Sequence, residues 1–289
     1  MNDFWIILTA SLVAINASVL GVFLVLRKMS MMGDAISHAV LPGIVVAYYF
    51  SGDRTSPLML LGAALTGLIT AFLIDWLAKK VKIQGDASIG ITYTLLFAVG
   101  MIMISGWFKG NVDIDLDCVL YGDIAMINLD KIIVDQNLYL GPRAFYVELV
   151  AGLIIFLFVI FGFRGFKLLS FDEDYGLALG INMNFWHYLM MGLVSLVTVV
   201  SFEVVGAVLV IGFLIIPAAT AQLITKRLIP MIFTACGFGV IAVLVGFYLA
   251  NWMNVSITGA MIAVSGILFF KVMMINAMVS RKKLRVKMH

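Results

Sequence analysis

Asp34 and His38 stand four residues apart in MGDAISHAVLPG, at the opening of an apolar stretch. On a helix this spacing stacks a carboxylate and an imidazole on one face, within reach of a common ion. Such a pair suits Mn²⁺, Fe²⁺ or Zn²⁺, with geometry and availability choosing among them. It equally fits a plainer role, in which Asp34 caps a helix that starts near the membrane surface beside Arg27 and Lys28. Glu203 interrupts the apolar run from Tyr188 to Gln222 and is a third candidate, as a ligand, a gating carboxylate or an interfacial residue at a turn. An ionisable side chain at bilayer depth costs at least about 2.5–3.5 kcal/mol, which is why such residues draw functional readings.

The remaining candidates are weaker. His187, beside Trp186 at the start of a span, reads as an interface residue, and Asp75 can pair at the surface with Lys79 or Lys80. His289 ends a basic tail. Cys118 and Cys236 show neither CxxC spacing nor a disulfide framework, so thiolate metal chemistry is not indicated. An intramembrane hydrolase could use a histidine and a carboxylate on a metal-bound water, but no H-E-x-x-H is present.

The elements that must position these groups are membrane spans. The 289 residues are 63% apolar and only 12% charged, with a net charge of +3 and a mean hydropathy of +1.11. Soluble domains run near half apolar and a quarter charged. The chain therefore reads as an all-α integral membrane protein, a single transmembrane domain over 1–289, with lipid around it and no nucleic-acid partner. Crossing a hydrocarbon core takes about 20 helical residues. Apolar runs at 5–26, 35–50, 57–78, 89–107, 145–163, 185–202, 204–222, 228–250 and 257–278 give nine spans. The first lacks the basic flank of a cleaved signal and reads as a retained span.

Eight spans result if 185–222 is one helix, but it would be about 52 Å long. Charge favours nine. With the N-terminus outside, fourteen Lys and Arg fall in inner loops and the tail, against four in outer loops (Arg54, Lys109, Lys131 and Arg143), as cytoplasmic loops require. One span fewer would put the RKKLRVK tail on the side opposite the other basic loops. Trp5, Trp76, Trp107, Trp186 and Trp252 all lie at span ends, as interface anchors do. On this topology the C-terminus is expected on the cytoplasmic side of the membrane.

Two segments are interrupted. The second span is short and carries Pro42 and Gly43, and the seventh carries Pro217. Gly/Pro interruptions mark the discontinuous helices that form transporter sites. The outer loop 108–144 holds Asp113, Asp115, Asp117, Asp123, Asp130 and Asp135. It suits a cation-attracting vestibule or partner-docking surface, or a plain solvated loop with a short interfacial helix around VLYGDIAMI.

No G-x-x-x-x-G-K-[ST] occurs, so any nucleotide chemistry belongs to another subunit. The inner segment 164–184 is suited to contact one, because a short helix there bears apolar groups that need a partner to cover them, or else it is a plain amphipathic loop at the lipid interface.

RKMSMMGDAISHAVLPGIVVAYY, GDASIGITYTLLFAVG, LLSFDEDYGLALGI and VGAVLVIGFLIIPAATAQL, in that order along nearly the whole chain, resemble the membrane permease subunits of bacterial ABC importers for manganese and zinc. The last third is similar in layout to the larger cobalamin and siderophore permeases, which implies a related all-helical fold. The resemblance implies a homodimer forming the pore, two copies of a cytoplasmic ATP-binding subunit and an extracytoplasmic metal-binding protein. It further implies no permanently bound cofactor and no enzymatic activity of the chain itself, Mn²⁺ or Zn²⁺ being cargo. Asp34 and His38 match the family's intramembrane metal positions, with Glu203 less secure. Ser170, Phe171, Asp172, Glu173, Asp174, Tyr175, Leu177, Ala178, Leu179 and Gly180 match its ATPase-coupling helix. A permease for a metal chelate would share the helices but need a wide apolar path and no paired ligands; a self-contained channel or exchanger would conduct metal without an ATPase.

Overall fold

Apolar runs of this length cross a membrane as helices because lipid offers no partner for free backbone groups. The computed structural model describes residues 2–52, 57–107, 122, 124–129, 131–134 and 138–287. Among them are nine spans: Asp3–Leu26, Met31–Ser51, Leu58–Lys79, Gly85–Gly106, Arg143–Phe161, Met183–Val205, Ala207–Ile224, Leu228–Met253 and Ile257–Met278. The eight-span alternative falls away because the chain turns at Gly206, whose φ of +81° suits glycine alone among common residues. The turn lies three residues past Glu203.

The first helix, α1 (Asn2–Leu26), is the central post. Ala10, Ala14 and Ala17 are fully buried on it, and such small side chains let neighbouring helices approach closely. The second span is two helices, α2 (Met31–Ala39) and α3 (Leu41–Ser51), meeting at Val40. Pro42 has no amide to give to the carbonyl of His38, so the ladder is interrupted just beyond the candidate ligand. Behind the break, α4 (Pro57–Lys79) comes very close. A Cβ on Gly43 would lie 2.2 Å from the Gly62 carbonyl oxygen, so the α3–α4 contact is backbone on backbone. Then α5 (Gly85–Trp107) flanks α2 and leaves Ile91, Leu95 and Ile102 exposed.

The acidic positions 113, 115, 117, 123, 130 and 135 of the outer loop, with Cys118, Arg54 and Lys109, lie outside the described residues, as does His289. What is described of that loop is a 3-10 helix, Ile124–Leu129, overlapping the expected short helix. A two-stranded antiparallel hairpin, β1 (Lys131–Val134) and β2 (Leu138–Pro142), follows. The apolar pattern did not announce it. Next come α6 (Arg143–Phe161), the short α7 (Phe163–Phe171) and α8 (Glu173–Ala178), then α9 (Met183–Val205), α10 (Ala207–Ile224), α11 (Leu228–Met253) and α12 (Ile257–Lys287).

The expected break at Pro217 does not occur, since α10 runs through it. Pro217 frees the Phe213 carbonyl, towards which the Ser18 hydroxyl of α1 points at 3.5 Å. A long side-chain bond thus stands in for the missing amide. Pro42 differs because the following Gly43 lets α3 settle against α4.

Candidate metal centre

The α2 helix begins at Ser30, which makes no side-chain cap bond, and Asp34 sits inside its first turn. The capping role allowed for Asp34 is therefore not the one it has. His38 Nε2 lies 3.6 Å from Asp34 Oδ1, one helical turn away on the same face. The imidazole is set by two rings of α5, Tyr93 at 6.0 Å and Phe97 at 6.2 Å between centroids. Ser37 Oγ donates to the Asp34 carbonyl, tying the turn between the two candidate ligands.

The side chains of His38 and Asp34 are 39% and 35% exposed, so they look out of the single chain rather than into its core. An exposed pair of this kind adds at most about 1 kcal/mol to stability, too little to explain two polar groups on a spanning segment. Facing hydrocarbon would cost more than that. The face they share therefore fits a water-filled path or another protein surface.

Among the described residues no third His, Cys, Asp or Glu joins the pair. Glu203 is exposed in the last turn of α9. It is sixteen residues past His187, about 24 Å along the helix, and His187 is at the end of α9 that touches Arg27. The structure brings Asp34 and His38 together and leaves Glu203 towards the opposite side of the span.

The segment 164–184 forms two short helices. Ser170 Oγ donates back to the Phe166 carbonyl at 2.8 Å in α7. Asp172 then caps α8, its Oδ1 accepting from the Tyr175 amide at 2.9 Å. Phe171, Tyr175, Leu177 and Leu179 are each more than half exposed; Asp174 and Ala178 are exposed beside them, and the chain leaves α8 at Gly180. Trp186 does more than mark an interface, packing on Phe166 at 5.3 Å to fix α7 against α9.

Residues 3–276 match the model of the ABC 3 transport family. The chain belongs to that family. It is 43% identical over 267 residues to the manganese transport system membrane protein MntD of Bacillus subtilis, covering 92% of this chain and 89% of that one. Among solved structures, PsaBC from Streptococcus pneumoniae in complex with Fab superposes with a TM-score of 0.75 at 34% identity, covering 93% and 89% of the two chains. An inward-facing metal-chelate type ABC transporter superposes with a TM-score of 0.61 over 93% of this chain and 85% of that one; at 17% identity it shows the fold alone.

Two polar clusters of this ABC 3 family chain escaped sequence reasoning. His187 is only 3% exposed and is not an interface residue. Its Nδ1 lies 2.6 Å from Arg27 Nη1, and its Nε2 lies 3.0 Å from Asp75 Oδ2, an ion-pair distance short of good hydrogen-bond alignment. Asp75 does pair with Lys79, at 3.2 Å, but is itself buried. Burial lowers the pKa of Arg27, with Glu173 and then Asp75 opposing the shift; a guanidinium stays charged regardless.

The second cluster is Glu148, 1% exposed inside the α6 span. Asn16 of α1 donates to both its carboxylate, at 3.0 Å, and its backbone carbonyl, at 3.1 Å. Its signal was present in the sequence as the one acidic residue in RAFYVELVAGLIIFLFVIF.

Proposed function

We propose that this chain is the membrane permease of an ATP-driven importer of divalent transition metal ions, with Mn²⁺ as the first cargo. It sits in a bacterial cytoplasmic membrane with its C-terminus cytoplasmic. It works as a homodimer with two copies of a cytoplasmic ATP-binding subunit, and an extracytoplasmic metal-binding protein delivers the ion. The observation that carries this reading is the Asp34/His38 pair, 3.6 Å apart and half-open on the face of a broken span.

One copy supplies two ligating side chains, whereas a transition metal ion takes about four to six donors. A second copy related by a two-fold axis would present the same pair to the same ion. Carboxylate and imidazole without thiolate lean towards Mn²⁺ and still accept Zn²⁺ or Fe²⁺. The interruption at Val40–Pro42 gives the ligand-bearing α2 freedom to tilt against α3. The exposed apolar groups of α7 and α8 are the surface on which the ATPase docks, and the rocking that follows ATP binding opens the path inwards. Permease, family likeness to MntD and the absence of any phosphate loop support the same division of labour.

The test is uptake of radiolabelled Mn²⁺, with Zn²⁺ and Fe²⁺ compared under depletion, in cells with and without the gene. Asp34→Ala and His38→Ala should abolish accumulation while the variants still assemble with the ATPase. Normal uptake by both would remove the site.

A further inference from the structure

A chain of charged and polar side chains runs from α8 into the bundle. Glu173 Oε2 lies 3.5 Å from Arg27 Nη2, Arg27 Nη1 lies 2.6 Å from His187 Nδ1, His187 Nε2 lies 3.0 Å from Asp75 Oδ2, and Lys79 closes the series at 3.2 Å. A guanidinium only donates hydrogen bonds, so Nδ1 accepts and the imidazole proton sits on Nε2, facing the carboxylate. The series thus joins hydrogen bonds at Glu173–Arg27, Arg27–His187 and Asp75–Lys79 with a charge–dipole contact at His187–Asp75, where the alignment falls short of a hydrogen bond. Its members come from four places: α8, the α1–α2 turn, α9 and α4.

Arg27 occupies the most constrained of these places. Lys28 adopts φ +60°, and the amides of Lys28 and Met29 bond back to Val25 and Leu24 at 3.1 and 2.9 Å, which ends α1 in a closed turn. Four residues past Arg27, α2 begins with Asp34 in its first turn. At the other end of the series, Asp75 lies on α4, the helix that meets α3 backbone to backbone at Gly43 and Gly62. Two routes therefore lead from Glu173 to the span that carries Asp34 and His38. The Arg27 side chain is 13% exposed and that of Glu173 44%, so the link passes from the surface of α8 to the interior.

We propose that Arg27, held between Glu173 and His187, is the positioning residue that carries movement of the α7–α8 segment to the metal-bearing α2–α3 span. This rests on the import reading above and adds the path by which the two ends communicate. The planar guanidinium fork serves two partners at once, which an ammonium point charge does less well. A displacement of α8 therefore pulls on a rigid turn rather than on a flexible tether.

The test uses the whole transporter, with permease, ATPase and metal-binding protein reconstituted in liposomes, and reads Mn²⁺ taken up per ATP hydrolysed. Arg27→Gln should lower that ratio by about tenfold, and Arg27→Lys by less. Glu173→Gln should lower it too. If both residues act through one link, the Arg27→Gln/Glu173→Gln double variant loses no more than the worse single variant. Co-purification of the ATPase checks assembly, and should Arg27→Gln fail to assemble, the Lys variant decides. A ratio equal to that of the unsubstituted protein in the Gln or the deciding Lys variant, or single losses that multiply in the double variant, overturns the proposal. If the unsubstituted transporter accumulates none of Mn²⁺, Zn²⁺ and Fe²⁺, the import reading itself has failed. Normal import together with normal coupling in Arg27→Gln defeats only the role of Arg27.

Discussion

Asp34 and His38 are neighbours on one helix, 3.6 Å apart, with side chains 35% and 39% exposed. His187 and Asp75 sit on different helices, 3.0 Å apart, with side chains 4% and 12% exposed. The first pair is loosely set against two aromatic rings and has donor capacity to spare on its open side. The second is enclosed, with Arg27 on one side and Lys79 on the other. An open polar pair on a spanning helix contributes little to stability. A closed network uses its charges on each other, so its effect is to hold elements in register, and removing one member strands the rest. The two clusters thus differ in how completely each polar group is answered within the chain.

That contrast can be broken in graded steps, each read as thermal unfolding of the detergent-solubilised protein unless stated. The largest effect is expected for His187→Leu, which keeps bulk but leaves Arg27 and Asp75 without their bridge in a buried setting. A loss of about 3–5 kcal/mol is expected, and an unchanged unfolding temperature would make the network incidental. Next is Glu148→Leu, which leaves the Asn16 amide without its carboxylate acceptor and should cost about 1–3 kcal/mol. Glu148→Gln keeps an acceptor and should cost clearly less; equal losses would show that packing, not the hydrogen bond, matters there.

Asp172→Ala removes the side-chain acceptor at the start of α8 and should cost about 1 kcal/mol. Its effect should appear as faster amide exchange confined to α8, with metal-driven ATP hydrolysis weakened. Uniform exchange across the segment would sink the capping role. The smallest shift is expected for Asp34→Ala and His38→Ala, within about 0.5 kcal/mol of the parent protein. A large destabilisation by either would mean that the open pair is structural after all, and would erase the distinction drawn between the two clusters.

Hydropathy located the nine spans found among the described residues, because the length and apolarity needed to cross a bilayer are local properties. The division between α9 and α10 was visible as a charge-balance argument that put a turn near Glu203, and the break lies three residues on, at Gly206. Pro42 and Pro217 looked alike in sequence. One interrupts a span and the other does not, since Ser18 of a distant helix offers its hydroxyl to the carbonyl freed by Pro217. The hairpin of the outer loop gave no usable signal in so short a stretch.

The candidate site divides in the same way. Asp34 and His38 could be paired on paper because the pitch of a helix makes residues four apart neighbours wherever the helix goes. Arg27 and His187 are 160 residues apart, and Asn16 and Glu148 are 132 apart. Nothing in their local sequence specifies which helix packs on which. Residue order alone therefore dictated membrane residence, the crossings among the described residues and the one-turn pairing of Asp34 with His38, all of which follow from local spacing and solvation. Packing of the helices decided which charges are sealed together and which remain open, because burial and ion pairing depend on distances that chain connectivity does not set.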